Sequence, residues 1–233
     1  MSLDKRTTNT NTKQRNLVTF SYPESLISEQ YRTIRTNIKF TAVNKVMKKI
    51  LITSPGMNEG KSTTAANLAV SMAQQKDKVL LIDANLRNPS IHQIFKITNP
   101  NGLTDILLNE NISLEETVFK TGIGSLDVLA SGTMISNASE LIGSKIMKNF
   151  LKTVEQSYDV ILIDSPSVRE VTDTKIIADY CDGIILVYSN GKTELKHALE
   201  TTRILKFAED KILGVILNDN SRSFLQRLFN IKM

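Results

Sequence analysis

Ser54-Pro55-Gly56-Met57-Asn58-Glu59-Gly60-Lys61-Ser62-Thr63 sets a glycine, a lysine and two hydroxyls in direct succession after a short β-branched run. Against the spacing G-x-x-x-x-G-K-[ST] the last three positions match, and the first glycine falls on Pro55 with Gly56 beside it. The chemistry served by this spacing is the holding of phosphate. Backbone N–H groups turn inward around phosphate oxygens at the start of a helix. Gly60 lets the backbone approach closely, Lys61 supplies a charge to the β/γ oxygens, and Ser62 offers a hydroxyl to Mg²⁺. Two further runs, residues 79–83 and 160–164, carry apolar side chains straight into Asp83 and Asp164. The carboxyl ends of strands are where open α/β sheets bind ligands. Two carboxylates there, next to a phosphate loop, suit a hydrated Mg²⁺.

The elements that must position these groups are readable from periodicity. Continuous β-branched runs at 50–53, 79–83, 126–130, 160–164, 184–189 and 213–218 read as buried strands. Helical patterns fall between them at about residues 61–75, 139–157, 172–179 and 194–209. Strands that alternate with helices predict an α/β, doubly wound, mostly parallel sheet, here a P-loop NTPase fold. A further helix is predicted from Pro23, capped by Ser25 or Ser28, with Leu26, Ile27, Tyr31, Ile34 and Ile38 on its apolar face. It makes an N-terminal helical arm.

Composition narrows the class. The chain has 233 residues, 41% hydrophobic and 23% charged, which is ordinary for a protein with a real core. Its apolar runs are far shorter than the ~18 residues a bilayer span needs. One cysteine, Cys181, excludes an internal disulfide and a cysteine-clustered metal site, and its setting before a buried strand reads as small filler. His92 and His197 lie on unrelated segments and do not read as a catalytic pair. The net charge is +5, but residues 1–50 hold ten Lys/Arg against three acids. The basic balance therefore resides in an arm. The expected organisation is a disordered basic leader at 1–20, a nucleotide-binding domain at 21–220 and an amphipathic tail at 221–233. The chain is expected to be cytoplasmic.

Asp83-Ala84-Asn85-Leu86-Arg87-Asn88-Pro89, the loop and the Asp164-Ser165-Pro166 strand end together resemble the bacterial tyrosine kinases of capsule and exopolysaccharide systems. That family carries Gly-Glu-Gly-Lys-Ser-Thr, a strand ending Asp-x-Asp-x-Arg-x-Pro, a strand ending Asp-Thr-Pro, and an N-terminal Glu-x-x-Arg-x-x-Arg. The last is matched by Glu29, Arg32 and Arg35. The resemblance runs from about residue 22 to residue 219. It implies transfer of the γ-phosphate of Mg-ATP to a protein tyrosine. Asp83 would take the hydroxyl proton, and Lys61, Asp164 and Arg87 would stand with it in the catalytic set. Ser62, Asp83 and Asp164 would hold Mg²⁺. Asn58, Glu59, Gly60, Lys61, Ser62 and Thr63 would bind the nucleotide, with Asn218 at its base. The resemblance also implies a homo-oligomeric ring through Glu29, Arg32 and Arg35, and activation by the cytosolic tail of a separate membrane protein. The kinase would be recruited to the inner face of the plasma membrane. Nucleic acid is not among the partners implied.

The departures from that pattern are specific. Asn85 stands where the family has a second acid, Met57-Asn58 replaces Pro-Gly, and Ser167 follows Ser165-Pro166. No tyrosine follows Tyr188, so family-type tail phosphorylation has no acceptor in this sequence. These leave a second reading, a weakly active or inactive nucleotide-binding scaffold of the polysaccharide machinery. A third is a partition-type ATPase switch, against which Gly56 occupies the signature-lysine position. In 221–233, Phe224, Leu225, Leu228, Phe229 and Ile231 share one helical side opposite Arg222 and Arg227. That pattern suits weak contact with an anionic membrane, or packing on the protein itself.

Overall fold

The structure is a computed structural model that describes residues 17–41 and 47–219. The tail at 221–233 and the first sixteen residues of the leader lie outside the described residues.

Five apolar strands make the centre: β1 (Lys49–Thr53), β2 (Val79–Asp83), β4 (Leu126–Leu129), β5 (Val160–Asp164) and β6 (Gly183–Ser189). The two-residue β3 (Phe119–Lys120) and β7 (Ile212–Asn218) complete a seven-stranded sheet in the order β3-β4-β2-β5-β1-β6-β7. Every pairing is parallel except β3 with β4. Because successive strand residues face opposite ways, the sheet divides its apolar residues between two cores. Leu51, Leu80, Ile82, Ile161, Ile163 and Ile184 face one way; Ile50, Ile52, Leu81, Leu162, Ile185 and Val187 face the other. This two-sided burial is why the strands read as unbroken apolar runs rather than alternating ones.

The helices, in chain order, are α1 (Val18–Ser21), α2 (Leu26–Thr41), α3 (Lys61–Ala73), α4 (Ile91–Phe95), α5 (Leu103–Leu108), α6 (Leu114–Thr117), α7 (Ala138–Ile142), α8 (Lys145–Ser157), α9 (Asp173–Tyr180) and α10 (Leu195–Ile204). Helix α3 is buried from Thr64 to Ala73 because its alanines let it lie flat against the sheet. The predicted cap of α2 is in place, with the Ser25 hydroxyl accepting from the Ser28 N–H at 3.2 Å.

Three differences from the sequence reading have local causes. The leader boundary at residue 20 falls inside α1, whose Thr19 is buried against α3. The Thr19 N–H donates to Asn67 Oδ1 at 3.0 Å, and Gln74 Nε2 donates to the Thr19 carbonyl at 3.3 Å. Those bonds fix residues that composition marks as leader. The single helix expected over 139–157 is two helices, because Gly143 ends α7 and Ser144 caps α8, accepting from the Met147 N–H at 3.1 Å. The helix expected to reach residue 209 stops at Ile204 and continues as a 3₁₀ helix, Lys206–Lys211.

Candidate active site

β2 and β5 are neighbours, and their register pairs Asp83 with Asp164 at the same level of the sheet. Beside β5 lies β1, which runs into the phosphate loop and on into α3 at Lys61. Topology alone therefore brings Lys61, Ser62, Asp83 and Asp164 to one edge of the sheet, the end at which parallel strands finish.

The loop is shaped by two left-handed residues. Asn58 has φ 56° and Gly60 φ 93°. Such alternation turns successive N–H groups toward one side. Asn58 tolerates the conformation, as Asn does, so the Met57-Asn58 replacement leaves the turn intact. At Gly60 only glycine fits, since a Cβ would lie 2.1 Å from Asn218 Nδ2. Glu59 is buried, and its carboxylate accepts from the Gly56 N–H at 3.1 Å and from the Thr193 hydroxyl at 2.7 Å. Its contribution to a ligand is thus its backbone N–H. Asn218, at the end of β7, donates its amide to the Glu59 carbonyl at 3.0 Å. It sits against the loop.

The two aspartates differ in how they are satisfied. Both are fully buried. Asp83 accepts from the N–H groups of Ser90 (3.0 Å), Ile91 (3.0 Å) and Asn85 (3.2 Å), and so folds residues 84–91 around itself. Burial raises its pKa first, the Asp164 charge raises it further, and the three N–H groups pull it back. Neither oxygen of Asp164 has a hydrogen-bond partner among the described residues. Burial raises its pKa too, with the Lys61 charge and the nearby Ser62 hydroxyl opposing. A buried carboxylate with both oxygens unpaired is costly unless a cation meets it.

That orphaned carboxylate is the test of whether Mg²⁺ fits. Among the described residues no group of three or more His, Cys, Asp or Glu forms a closed cage. Mg²⁺ does not need one; it takes one or two hard oxygens from protein and the rest from water and phosphate. Ser62 and Asp164, with Asp83 alongside, are such a donor set.

Asn85 is not free to replace the missing acid. Its amide donates to the Asn88 carbonyl at 2.8 Å and its Oδ1 accepts from the Asn88 N–H at 3.2 Å, closing the turn on itself. Arg87 also has a partner. Its Nε donates to Asp173 at 2.9 Å and its Nη2 to the Ser139 hydroxyl at 2.9 Å, tying the loop after β2 to α7 and α9. Asp173 is buried, accepts from Ser139 as well, and was not singled out in the sequence, where a lone Asp at a helix start looks like a cap. Burial pushes the Cys181 thiol well up, which keeps it protonated and inert.

The Glu29/Arg32/Arg35 trio is divided by α2. Arg32 Nε pairs with Glu29 at 2.7 Å on the exposed side. Arg35 is buried, with Nη1 on the carbonyl and hydroxyl of Ser71 in α3. Spacing of three makes them neighbours on the helix, but only the first two present themselves outward.

Residues 47–196 match the AAA domain family. The tyrosine-protein kinase YwqD of Bacillus subtilis (strain 168) is 46% identical over 210 residues, 90% of this chain and 88% of the relative. Among solved structures, the chimerical protein CapA2B2 superposes with a TM-score of 0.84 at 36% identity, covering 88% of this chain and 89% of that one. The kinase domain of the Escherichia coli tyrosine kinase ETK gives 0.82 at 28% identity, over 87% and 79%. MinD of Pyrococcus horikoshii OT3, complexed with Mg-ADP, gives 0.63 at 25% identity, over 80% and 79%. The fold is that of a nucleotide-binding P-loop protein. No helix among the described residues is long and apolar enough to cross a membrane.

Proposed function

The chain belongs to the bacterial tyrosine-protein kinases, and from that premise we propose that its strand-end site transfers the γ-phosphoryl group of Mg-ATP to a protein tyrosine in capsular or exopolysaccharide biosynthesis. The observation that carries the reading is the fully buried Asp164 carboxylate facing Lys61 and Ser62, with Asp83 in register next to it.

The residues divide the work as follows. The N–H groups of Asn58, Glu59 and Gly60 receive phosphate oxygens, and Lys61 adds a charge at the β/γ position. Ser62, Asp83 and Asp164 would hold Mg²⁺, which would supply neutralisation of the charge developing on the nucleotide phosphates. Asp83 receives the tyrosine proton as a positioned general base. Arg87, fixed on Asp173, keeps the Asp83 loop in place, and the Asn218 Oδ1 meets the base. Most of the rate comes from positioning and electrostatics, which groups fixed by hydrogen bonds supply.

A separate membrane protein's cytosolic tail is proposed as activator, with a homo-oligomeric ring contacting through Glu29 and Arg32, and recruitment to the inner face of the plasma membrane. Membrane contact through 221–233 belongs to the same proposal. The test is purified protein with Mg-ATP and an activator-tail peptide, read separately for phosphotyrosine on added protein and for ADP. Phosphotyrosine that disappears in Asp83→Asn supports the reading. ADP alone would make the chain an ATPase switch, and ATP binding with neither product a scaffold.

A further inference from the structure

The loop's carbonyls account for themselves one by one. Gly56 O accepts from the Ser54 hydroxyl at 2.7 Å. Met57 O and Asn58 O both accept from the Lys192 ammonium, at 2.7 Å and 3.2 Å. Glu59 O accepts from Asn218, and Gly60 O from the Thr64 N–H at 2.8 Å. Five successive carbonyls are held, two of them by one lysine more than 130 residues away in the chain. The N–H groups of Asn58 and Gly60 have no acceptor among the described residues, and that of Glu59 has only a weak turn contact with the Gly56 carbonyl.

These two facts are one fact of peptide geometry. In a planar trans peptide the carbonyl and the following N–H point in opposite directions. Drawing Met57 O and Asn58 O outward to Lys192 aims the N–H groups of Asn58 and Glu59 inward. Drawing Glu59 O outward to Asn218 does the same for Gly60.

Lys192 is itself held. It sits in the turn after β6, where the Thr193 N–H donates to the Ser189 carbonyl at 2.9 Å and Gly191 has φ 74°. The Thr193 hydroxyl accepts from the Ser189 N–H at 2.8 Å and donates to Glu59 at 2.7 Å. The Asn190 N–H donates to the Asn218 carbonyl at 2.9 Å, binding the turn to the end of β7. The turn is thus fastened to the loop at Glu59 and to β7 at Asn218, with the lysine side chain between.

We propose that Lys192 is a positioning residue for phosphate binding, whose ammonium on the Met57 and Asn58 carbonyls aims the loop's N–H groups at the nucleotide. The role rests on the nucleotide site proposed above and adds to it a residue outside every motif. It explains how the loop keeps its shape with Met57-Asn58 in place of a stiffer Pro-Gly. Lys192 acts through the backbone, not on the phosphate, so its loss weakens every ligand that uses the nest by one common factor.

The test is calorimetric titration of Mg-ADP and of Mg-ATP into the full chain, at low and high salt, for wild type, Lys192→Met, Lys192→Arg and Lys61→Ala. Lys192→Met is expected to weaken both nucleotides equally, roughly fivefold to tenfold, the scale of one typical hydrogen bond at an exposed position. The factor should persist in salt, and Lys192→Arg, which can donate to both carbonyls, should recover most of it. Ligand-free melting checks that each variant folds. A loss confined to ATP would place Lys192 on the γ-phosphate, and one that vanishes in salt would make it a remote charge; either overturns the proposal. So does unchanged affinity while Lys61→Ala abolishes binding. If Lys61→Ala also leaves affinity unchanged, the nucleotide site itself falls.

Discussion

The two halves of the site are built on opposite terms. On the β1–β6–β7 side, every carbonyl from Gly56 to Gly60 has a donor, and Glu59 is buried with both oxygens engaged. On the β2–β5 side two carboxylates lie buried in register, one tied to three N–H groups and the other facing only the Lys61 charge and the Ser62 hydroxyl. The first half is shaped before a ligand arrives and needs only an anion. The second half stores a penalty that a cation relieves. On the proposed function such a division would tie phosphate and metal binding together, since a cation that relieves Asp164 would also meet the phosphate in the loop.

The comparison can be broken at four points, the strongest first. Lys61→Met keeps bulk and removes the charge at the β/γ position, so phosphotransfer should fall by at least ~10²–10³-fold, as for loss of a preorganised electrostatic group. Steady-state phosphotyrosine formation measures it, and near-normal turnover would detach the loop from the chemistry. Asp83→Asn should cost about 10²-fold in the same assay, the range of a positioned base. It should also lower stability, because the carboxamide replaces one of the oxygens that accept from Ser90, Ile91 and Asn85.

Asp164→Asn should act in opposite directions on the two properties. It removes a buried charge whose burial cost outweighs what Lys61 and Ser62 return, so the ligand-free protein should melt higher than wild type at pH 8, while Mg²⁺-dependent nucleotide binding is lost. A variant less stable than wild type in the absence of ligand would mean that Asp164 is satisfied in the folded protein. The smallest effects separate the arginines of α2. Arg35→Ala removes a buried guanidinium from Ser71 and should cost about 1–3 kcal/mol of stability. Arg32→Ala breaks an exposed pair worth under about 1 kcal/mol, so it is the clean probe of assembly. Sedimentation of Arg32→Ala with unchanged particle size would remove this helix face from the proposed ring contact.

What was legible in the sequence was what is local or periodic. The loop, both aspartate-ended strands and the parallel sheet follow from short patterns, and the observed order places them together without adjustment. The short elements between Ile91 and Lys120 escaped because two to six residues cannot establish a period. The break at Gly143-Ser144 was readable as a stop followed by a cap, but the apolar spacing on either side ran through it. Lys192, Thr193 and Asp173 were invisible for a different reason. Their partners, Met57, Glu59 and Arg87, are 86 to 135 residues distant, and only strand order brings them near. Arg35 shows the converse, a motif residue whose direction is set by which side of α2 meets α3.

The pH dependence of stability, with and without Mg-ADP, tests the division most directly. Both aspartates have raised pKa values, so between the ordinary carboxylate range and about 7 the folded state holds more protons than the unfolded one. By linkage, stability must then fall as pH rises through that interval. Melting of the ligand-free protein should therefore drop across it, the drop should be smaller in Asp164→Asn, and saturating Mg-ADP should abolish it in wild type. A melting temperature that stays level or rises through the interval without ligand, and moves no differently when Mg-ADP is added, would contradict the account.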